Sequence, residues 1–373
     1  MINKERLIDT FTELGAINSP SGKEAVIAGV LEAELKSLGF DVVRDNAGAR
    51  IGGETGNVIG SKKGTVLGAV PIMLNAHMDT VTPTEGWEFR MDGDTIRSRG
   101  DMILGADDKA GIAVILEALG VVQEQGIPHG DLQVIFSIAE ETGLWGAKYL
   151  DYSLVTSRGV FVYDMGRPVG SITVSAPSHD NILFKVHGKA SHAGARPENG
   201  INAIVVASKA IANMKVGRID KETTANVGVI TGGKARNIVP DYCEVKCEAR
   251  SRNTEKLDAQ TADMIKCFED AAAEMGATVN VEVNRSYVGF RLSEKDEVVR
   301  IAMEAAKRAG IEVDLHETGG GSDSNIFNAK GLPATVVGVG YEGAHSVDEY
   351  IHIPEFIQSA EMCIQIIKVA AGG

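Results

Sequence analysis

The sequence predicts an α/β fold, in which a mixed, mostly parallel β-sheet lies between layers of helices and a smaller α+β domain is inserted in the chain. Apolar runs typical of buried strands alternate with helical patterns in residues 1–177 and again in residues 289–373. Between them, residues 178–288 follow the order βαββαβ of a ferredoxin-like unit. A chain of 373 residues is long enough for two such domains.

In the first part, Ser19 or Ser21 is placed to cap the second of three predicted helices. A polar loop over residues 82–105 separates the third predicted strand from the third helix. The helices predicted in this part cover residues 4–15, 23–38 and 109–125. The strands predicted in this part are DVVRDN, NVIGSKKG, VPIMLNA, DLQVIFSIA and GVFVYDMG.

The pattern changes near Ala176 and returns to the first style after Val288. The inserted strands are NILFKVHG, TTANVGVITGG, YCEVKCEARS and TVNVEVNRSY, with helices over residues 201–214 and 255–275. The last part contains a Gly-rich turn, ETGGGSDSNIF, a buried strand, LPATVVGVG, and helices over residues 294–309 and 353–371.

Composition excludes several partner classes. The formal net charge of −14 argues against nucleic acid and anionic membranes, because both select basic patches. The N-terminal pattern is charged and amphipathic, so no signal peptide is expected, and no apolar run is long enough to span a bilayer. We therefore expect a cytoplasmic protein.

The four cysteines are not expected to form disulfides. Cys243 and Cys247 share a predicted strand, where four steps separate their Cα atoms by about 13 Å, whereas a disulfide needs less than about 7 Å. A zinc site at this pair is not expected either, because no second pair accompanies it. The predicted reduced thiols are Cys243, Cys247, Cys267 and Cys363.

Acidic or histidine side chains follow the ends of the predicted strands. Taken singly, His77 beside Asp79 is equally consistent with a core histidine, and Asp107 is better interpreted as a helix N-cap. The pair Glu140 and Glu141 is also consistent with a solvated acidic turn. However, the carboxyl ends of parallel strands meet at one edge of the sheet, so these side chains should converge. The candidate metal ligands are His77, Asp107, Glu141, Asp164 and His345.

Two histidines and three carboxylates suit Zn²⁺ or a similar divalent ion. Five ligands are too many for one catalytic zinc with an open position, but they suit two ions about 3.5–4 Å apart that share a carboxylate. Adjacent strand residues point to opposite faces, so Glu140 should face away from Glu141. Glu140 is therefore the candidate general base.

Six segments in order, HMDTV, GADDKAG, AEETG, YDMG, SHAG and GAHSVDE, resemble a metallopeptidase family. This family contains peptidase T, dipeptidase V, carboxypeptidase G and succinyl-diaminopimelate desuccinylase. The match spans nearly the whole chain. The resemblance implies a sheet of the zinc exopeptidase type, and it implies that residues 178–288 form a lid or dimerisation domain.

The resemblance also implies a role for each ligand. His77 and Asp164 would hold one zinc ion. Glu141 and His345 would hold the other, and Asp107 would bridge them. The expected cofactor is thus two divalent ions per chain, most simply zinc, with cobalt or manganese as alternatives.

Two further residues act beside the ions in this family pattern. Asp79 would orient His77. Glu140 would activate the water between the ions and then carry its proton to the leaving amine.

The resemblance assigns further residues to substrate binding. His192, in SHAG, matches the family's substrate or oxyanion histidine, in its own site or a neighbouring subunit's. Asn237 and Arg250 match residues that grip a free carboxylate, whereas Lys234 and Arg236 are better interpreted as surface charges. The Gly-rich turn matches a turn on the substrate side of the site in this family. Its backbone N–H groups could donate hydrogen bonds to a carboxylate or carbonyl of the substrate. That turn consists of Gly320, Gly321, Ser322 and Asp323.

Within the family, the aspartate at position 164 resembles the aminopeptidase and dipeptidase branches, and the segments GADDKAG and AEETG most resemble peptidase T. The implied reaction is release of the N-terminal residue from tripeptides, so the expected partners are small peptides. The chain departs from that pattern in residues 82–102, near the site, which leaves the tripeptide specificity open.

Two other functions remain as alternatives. The first is a carboxypeptidase or N-acyl-amino-acid amidohydrolase on the same scaffold. The more remote alternative is a non-catalytic metal- or peptide-binding protein.

The segment NVGVIT is compatible with a homodimer through the inserted domain and equally with burial inside a monomer.

Overall fold

The computed structural model describes residues 1–373. The α-helices are α1 Lys4–Gly15, α2 Ala25–Ser37, α3 Ala106–Glu124, α4 Trp145–Tyr149, α5 Ala203–Asn213, α6 Thr254–Met275, α7 Glu297–Arg308, α8 Asp323–Ala329 and α9 Ile353–Ala370. The first strands are β1 Asp41–Arg44, β2 Val58–Lys62, β3 Ile72–His77, β4 Phe89–Asp92, β5 Thr95–Ser98, β6 Leu132–Ser137, β7 Gly159–Val162, β8 Ser171–Ala176 and β9 Ser178–His187. The remaining strands are β10 Gly217–Arg218, β11 Thr223–Gly232, β12 Tyr242–Ser251, β13 Thr278–Tyr287, β14 Phe290–Arg291, β15 Asp314–Glu317, β16 Ala334–Val336, β17 Tyr341–Glu342 and β18 Tyr350–His352.

The chain forms two compact units. The larger unit is assembled from three segments, Met1–Val174, Leu292–Glu317 and Ser322–Gly373. The smaller unit comprises Ser175–Arg291 and Thr318–Gly321. No helix has the length and apolar character needed to cross a membrane, and all four cysteines are free thiols.

A six-stranded sheet forms the centre of the larger unit, in the order β1-β2-β6-β3-β7-β16. The pairs β6–β3, β3–β7 and β7–β16 are parallel, and the pairs β1–β2 and β2–β6 are antiparallel. The mixed, mostly parallel sheet predicted from the sequence is confirmed. Every residue of β3, β6 and β7 is buried, which is why these strands read as continuous apolar runs.

Helix α3 is a core helix of this unit, and nearly all of its side chains are buried. It contacts α1, α9 and strand β3. The helix approaches the end of β7 closely at Gly111, where an added Cβ would lie 2.2 Å from the carbonyl oxygen of Tyr163. Glycine is therefore required for the packing that brings the start of α3 to the carboxyl ends of the strands.

The smaller unit has a five-stranded antiparallel sheet in the order β10-β11-β12-β9-β13. Apart from the two-residue β10, the chain order is β9, α5, β11, β12, α6, β13, so the expected βαββαβ arrangement is confirmed. Helices α5 and α6 pack on this sheet. The rings of Phe184 and Phe268 stack with their centroids 3.8 Å apart and join α6 to the sheet.

Three local expectations were wrong. Residues 82–105 are not only a loop, because β4 and β5 form a hairpin within them that extends a four-stranded sheet, β17-β18-β5-β4. Neither Ser19 nor Ser21 caps α2, since Glu24 is the N-cap residue. Strand β6 ends at Ser137, so the alternation of strand residues does not apply to Glu140 and Glu141, which lie in the turn that follows.

Candidate dinuclear metal site

The structure brings the five candidate ligands together in the larger unit as two overlapping groups. In each group, one ligand atom from every residue lies within 4.8 Å of the others. The first group is His77, Asp107 and Asp164, and the second is Asp107, Glu141 and His345. Asp107 is common to both groups, as expected for a carboxylate between two ions.

His77 is the last residue of β3 and is 1% exposed. Its Nδ1 lies 2.8 Å from the backbone oxygen of Asp79, so this nitrogen carries the proton and donates it. Its Nε2 lies 3.1 Å from Oδ1 of Asp107 and 3.8 Å from Oδ1 of Asp164. Nε2 therefore faces two carboxylates, which is the position of the metal-binding nitrogen of an imidazole.

Asp79 is fully buried and connects two parts of the site. Its Oδ1 is 3.4 Å from Nδ1 of His77 and accepts a 2.9 Å hydrogen bond from the backbone N–H of Glu140. Its Oδ2 accepts hydrogen bonds from the hydroxyl of Ser21 at 2.6 Å and from the N–H of Glu141 at 3.2 Å. Burial acts to raise the pKa of Asp79, but His77 and these hydrogen bonds outweigh it and lower the pKa.

Asp107 lies near the start of α3 with non-helical backbone angles, after the left-handed N-cap Gly105. Its backbone N–H donates a 3.0 Å hydrogen bond to Oε1 of Glu349, and the N–H of Gly105 donates a 2.7 Å hydrogen bond to Oε2. Glu349 is fully buried, and burial raises its pKa to about 7. The two oxygens of Glu349 thus hold the backbone that presents the shared carboxylate.

Glu141 and His345 form the outer part of the cluster. Nε2 of His345 is 2.9 Å from Oε1 of Glu141 and 3.3 Å from Oδ2 of Asp107. Hydrogen bonds with Asp107 and Glu141 raise the pKa of His345 to about 10. His345 has a φ of +63°, and its side chain is 54% exposed. It is therefore the candidate ligand most open to solvent.

Asp164 and Glu140 complete the site. Asp164 follows the end of β7 by two residues, and burial together with the charge of Asp107 raises its pKa well above the ordinary value. Glu140 is 8% exposed and belongs to neither group of three. Burial and the charge of Asp164 raise its pKa in the same direction. For both pKa values burial is the larger cause, and the neighbouring negative charge acts in the same direction.

The donor set fits a pair of divalent cations. The carboxylates of the two groups converge here, and Nε2 of His77 points at two of them. Two divalent cations would neutralise the crowded carboxylates, and imidazole and carboxylate are both ligands that zinc accepts. The residues present therefore fit the metal that the sequence predicts.

Asp323 lies at the start of α8 and is 1% exposed. The hydroxyl of Ser137, at the end of β6, donates a hydrogen bond to its Oδ2, whereas its Oδ1 has no hydrogen-bond partner. Burial raises the pKa of Asp323 to about 6. Gly321 belongs to the smaller unit, where an added Cβ would lie 2.3 Å from the ring of Tyr287. Any side chain at this position would collide with that ring.

The remaining candidates belong to the smaller unit. Nδ1 of His192 accepts hydrogen bonds from the backbone N–H groups of Gly194 and Ala195, at 3.2 and 3.1 Å. Asn237 is adjacent, since its backbone oxygen accepts a 3.0 Å hydrogen bond from the N–H of Ala193. His192 and Asn237 are therefore neighbours in the structure.

Arg250 is half-buried in the same unit, and its Nη2 donates a 3.0 Å hydrogen bond to Oε2 of Glu248. The same oxygen is 3.1 Å from Nε2 of His179. The contacts with His179 and Arg250 lower the pKa of Glu248 to about 2, against the opposing effect of burial. Arg250 thus belongs to a small polar cluster on the sheet.

Sequence reasoning missed three carboxylates that support the site. Glu349 holds the backbone at Asp107, as described above. Asp108 accepts a 3.1 Å hydrogen bond from the backbone N–H of His77, and Glu24 accepts one of 3.0 Å from the N–H of Ala139. All three are fully buried. Asp108 and Glu349 lie inside the recognised segments GADDKAG and GAHSVDE, and Glu24 lies at the start of a predicted helix. Only the structure shows that these carboxylates point inward.

Comparison with known proteins identifies the family. A model of Peptidase family M20/M25/M40 matches residues 73–369. The chain belongs to this peptidase family. It is accordingly a hydrolase, and the metallopeptidase resemblance predicted from the six segments is confirmed.

Similarity to relatives in the M20/M25/M40 family extends over the whole chain. The structure of a tripeptidase from Staphylococcus aureus is 39% identical, with a TM-score of 0.96 and 100% of both chains covered. The structure of the aminopeptidase PepT from Bacillus cereus is 42% identical, with a TM-score of 0.91 and 99% of each chain covered. Carboxypeptidase G2 from a Pseudomonas species is 31% identical over 98% of this chain and 90% of its own length.

Proposed function

We propose that this chain is a dimetal exopeptidase that releases the N-terminal residue of tripeptides. The observation that carries the proposal is the pair of overlapping three-residue groups that share Asp107, with Glu140 buried beside them. Similarity along the entire chain to a tripeptidase and to an aminopeptidase supports the substrate class.

Each candidate ligand takes one position in this proposal. His77 and Asp164 would hold one divalent ion, and Glu141 and His345 would hold the other. Asp107 lies between the two. Such ions, most simply zinc, would polarise the scissile carbonyl and promote ionisation of the attacking water.

The side chains around the ions move and hold protons. Glu140 takes the proton of the attacking water and delivers it to the leaving amine, as a buried carboxylate outside both ligand groups can do. Nδ1–H of His77 stays bonded to the backbone oxygen of Asp79, which keeps Nε2 available as a ligand. Glu140 and His77 are themselves buried, so bulk water has little access to their side chains.

Residues of the inserted domain bind the substrate in this account. Arg250 and Asn237 receive the C-terminal carboxylate of the peptide, because a guanidinium can bind a carboxylate through two hydrogen bonds. His192 binds the scissile carbonyl oxygen, in its own site or a neighbouring subunit's. Gly321 offers a backbone N–H group at the substrate side, beside Asp323. The domain of residues 178–288 acts as a lid or as a dimerisation domain.

The experiment is product analysis with a free tripeptide of three different residues. The protein is stripped of metal with a chelator and then reloaded with Zn²⁺, and products are identified by mass spectrometry. We expect the N-terminal amino acid and the C-terminal dipeptide, only after reloading. Release of the C-terminal amino acid would contradict the aminopeptidase assignment.

A carboxypeptidase or N-acyl-amino-acid amidohydrolase is the second candidate, because carboxypeptidase G2 is 31% identical over 98% of the chain. The two candidates differ in whether they need a free α-amino group. An aminopeptidase leaves an N-acetylated tripeptide intact, whereas the second candidate cleaves N-acylated substrates. The same protein preparation with both substrates decides between them.

A further inference from the structure

Three successive backbone N–H groups in the turn after β6 are held by two buried carboxylates. The N–H of Ala139 donates a 3.0 Å hydrogen bond to Oε1 of Glu24. The next two N–H groups, of Glu140 and Glu141, donate to Asp79 at 2.9 and 3.2 Å. The turn that carries the candidate base and one candidate ligand is therefore fixed at each residue by a carboxylate.

Ala139 has a left-handed backbone, with a φ of +48°. Residues other than glycine rarely adopt this conformation, and it persists where the surrounding structure determines it. The hydrogen bond from Ala139 to Glu24 is one such determinant. Without it, the N–H of Ala139 loses its acceptor, and the turn loses one of the contacts that hold this conformation.

Glu24 occupies the N-cap position of α2, but its side chain makes no capping hydrogen bond to that helix. Its Oε1 instead accepts hydrogen bonds from two backbone N–H groups, that of Gly22 at 2.8 Å and that of Ala139. Its Oε2 has no hydrogen-bond partner, although the residue is fully buried. A buried carboxylate is costly, and a serine or aspartate would serve a helix cap better. The contact with Ala139 therefore accounts for a glutamate here.

The segment that carries Glu24 is itself fastened to the metal-site end of β3. The hydroxyl of Ser19 donates a 2.9 Å hydrogen bond to the backbone oxygen of Met78, and the N–H of Thr80 donates a 3.0 Å hydrogen bond back to Ser19. The hydroxyl of Ser21 bonds to Asp79 at 2.6 Å. The buried ammonium of Lys109 donates a 2.6 Å hydrogen bond to the backbone oxygen of Ile17. Glu24 thus projects from a rigid support.

We propose that Glu24 is a positioning residue of the hydrolytic site, which fixes the turn of residues 139–141 so that the side chains of Glu140 and Glu141 face the reacting atoms. The inference rests on the proposed function in so far as these two glutamates act as base and ligand. Glu24 touches neither the substrate nor the candidate ligands' side chains. Its effect is exerted through the backbone of the turn.

Three variants of the full chain test this inference. Glu24→Ala removes the acceptor. Glu24→Gln keeps an oxygen at the same reach, whereas Glu24→Asp keeps the carboxyl group on a shorter side chain. Glu34→Ala is the matched control, because Glu34 is an exposed residue of the same helix, α2. Each variant is compared with the unchanged protein by tripeptide kinetics and by hydrogen–deuterium exchange of peptides that contain residues 139–141.

We expect Glu24→Ala and Glu24→Asp to lower kcat by about 10–100-fold, the range found when a supporting contact of a metal site is removed. KM should change by less than about threefold, because the affected groups act in the transition state. Glu24→Gln should restore most of kcat. Exchange at residues 139–141 should accelerate in the Ala and Asp variants and remain unchanged in the Gln variant and the control.

Two results would overturn the inference: unchanged exchange at residues 139–141 in Glu24→Ala, or a kcat for Glu24→Gln as low as that of Glu24→Ala. The exchange measurement requires no activity. If the unchanged protein cleaves no peptide, the proposed function fails while the exchange data still decide whether Glu24 holds the turn. If Glu24→Ala does not fold, the comparison of Glu24→Gln with Glu24→Asp gives the same decision.

Discussion

The Asp79 carboxylate accepts a 2.9 Å hydrogen bond from the backbone N–H of Glu140. The same carboxylate lies 3.4 Å from Nδ1 of His77. One buried side chain therefore lies against a candidate metal ligand at the end of β3 and also holds the turn that follows β6. Asp79 thus connects the end of β3 to the turn that follows the neighbouring strand β6.

Replacement of Asp79 by asparagine tests this double role. We expect Asp79→Asn to lower kcat for the tripeptide by about 10–100-fold and to weaken metal binding, since an amide has one acceptor oxygen where the carboxylate has two. Kinetics and the metal bound per chain are measured together. The control is Asp92→Asn, on the exposed strand β4. Unchanged kcat and metal content in Asp79→Asn would contradict the role.

Replacement of the two adjacent glutamates after β6 should have different effects on kcat and on metal binding. Glu140→Gln should retain the metal and lower kcat by about 10²–10⁴-fold, the contribution of a general base. Glu141→Gln should instead lower the number of ions bound per chain. Metal analysis after dialysis, together with kcat, separates the two effects, and each variant serves as the control of the other. Equal metal loss in both variants would contradict the assignment.

Glu349 is predicted to hold the backbone at Asp107 in the position that presents its carboxylate to the metal site. Its two oxygens accept hydrogen bonds from the backbone N–H groups of Gly105 and Asp107, and glutamine can satisfy only one of them. We expect Glu349→Gln to weaken metal binding and to lower kcat by about 10-fold or more. Glu342→Gln, at an exposed position in the same segment, should leave both unchanged. Metal affinity is measured by competition with a chromophoric chelator.

Away from the site, a half-buried ion pair should stabilise the larger unit. Glu117 has no exposed side-chain surface and accepts a 2.5 Å hydrogen bond from Nε of Arg6 and a 2.7 Å hydrogen bond from the N–H of Asn3. We expect Glu117→Gln to lower the free energy of unfolding by about 1–3 kcal/mol. Glu124→Gln, which affects the exposed partner of the same arginine, should cost about 0–1 kcal/mol.

Urea unfolding of both variants with equal m values provides the comparison. If Glu124→Gln lowers the free energy of unfolding as much as Glu117→Gln does, burial of Glu117 contributes nothing to the strength of its ion pair with Arg6.

The strand ends could be predicted because a fully buried parallel strand is a continuous apolar run in the sequence, and the run stops where the strand ends. The runs that end at His77, before Glu140 and before Asp164 are apolar until the sheet ends, and the polar residues that follow must lie at one edge. His345 could be placed with them because its segment also follows a buried strand and matches a family motif. For these residues, periodicity and order along the chain were sufficient.

The supporting carboxylates could not be predicted in the same way. Glu24 has the sequence context of a first-turn helix residue, and only the path of the backbone shows that its side chain turns away from α2 to Ala139. Glu349 follows an exposed acidic neighbour, Asp348, and nothing in their types distinguishes the buried one. The reason for choosing Glu140 was also incorrect, since the residue lies in a turn, although its burial beside the candidate ligands agrees with the choice.

In the proposed function, five side chains hold two metal ions on which tripeptide cleavage depends. The most direct measurement is a titration of metal-depleted protein with Zn²⁺, in which bound metal and release of the N-terminal residue are followed in the same samples. We predict no cleavage without metal, and binding and activity that both level off at about two ions per chain. Full activity in protein that retains no metal, or binding and activity that both end at one ion, would contradict the account.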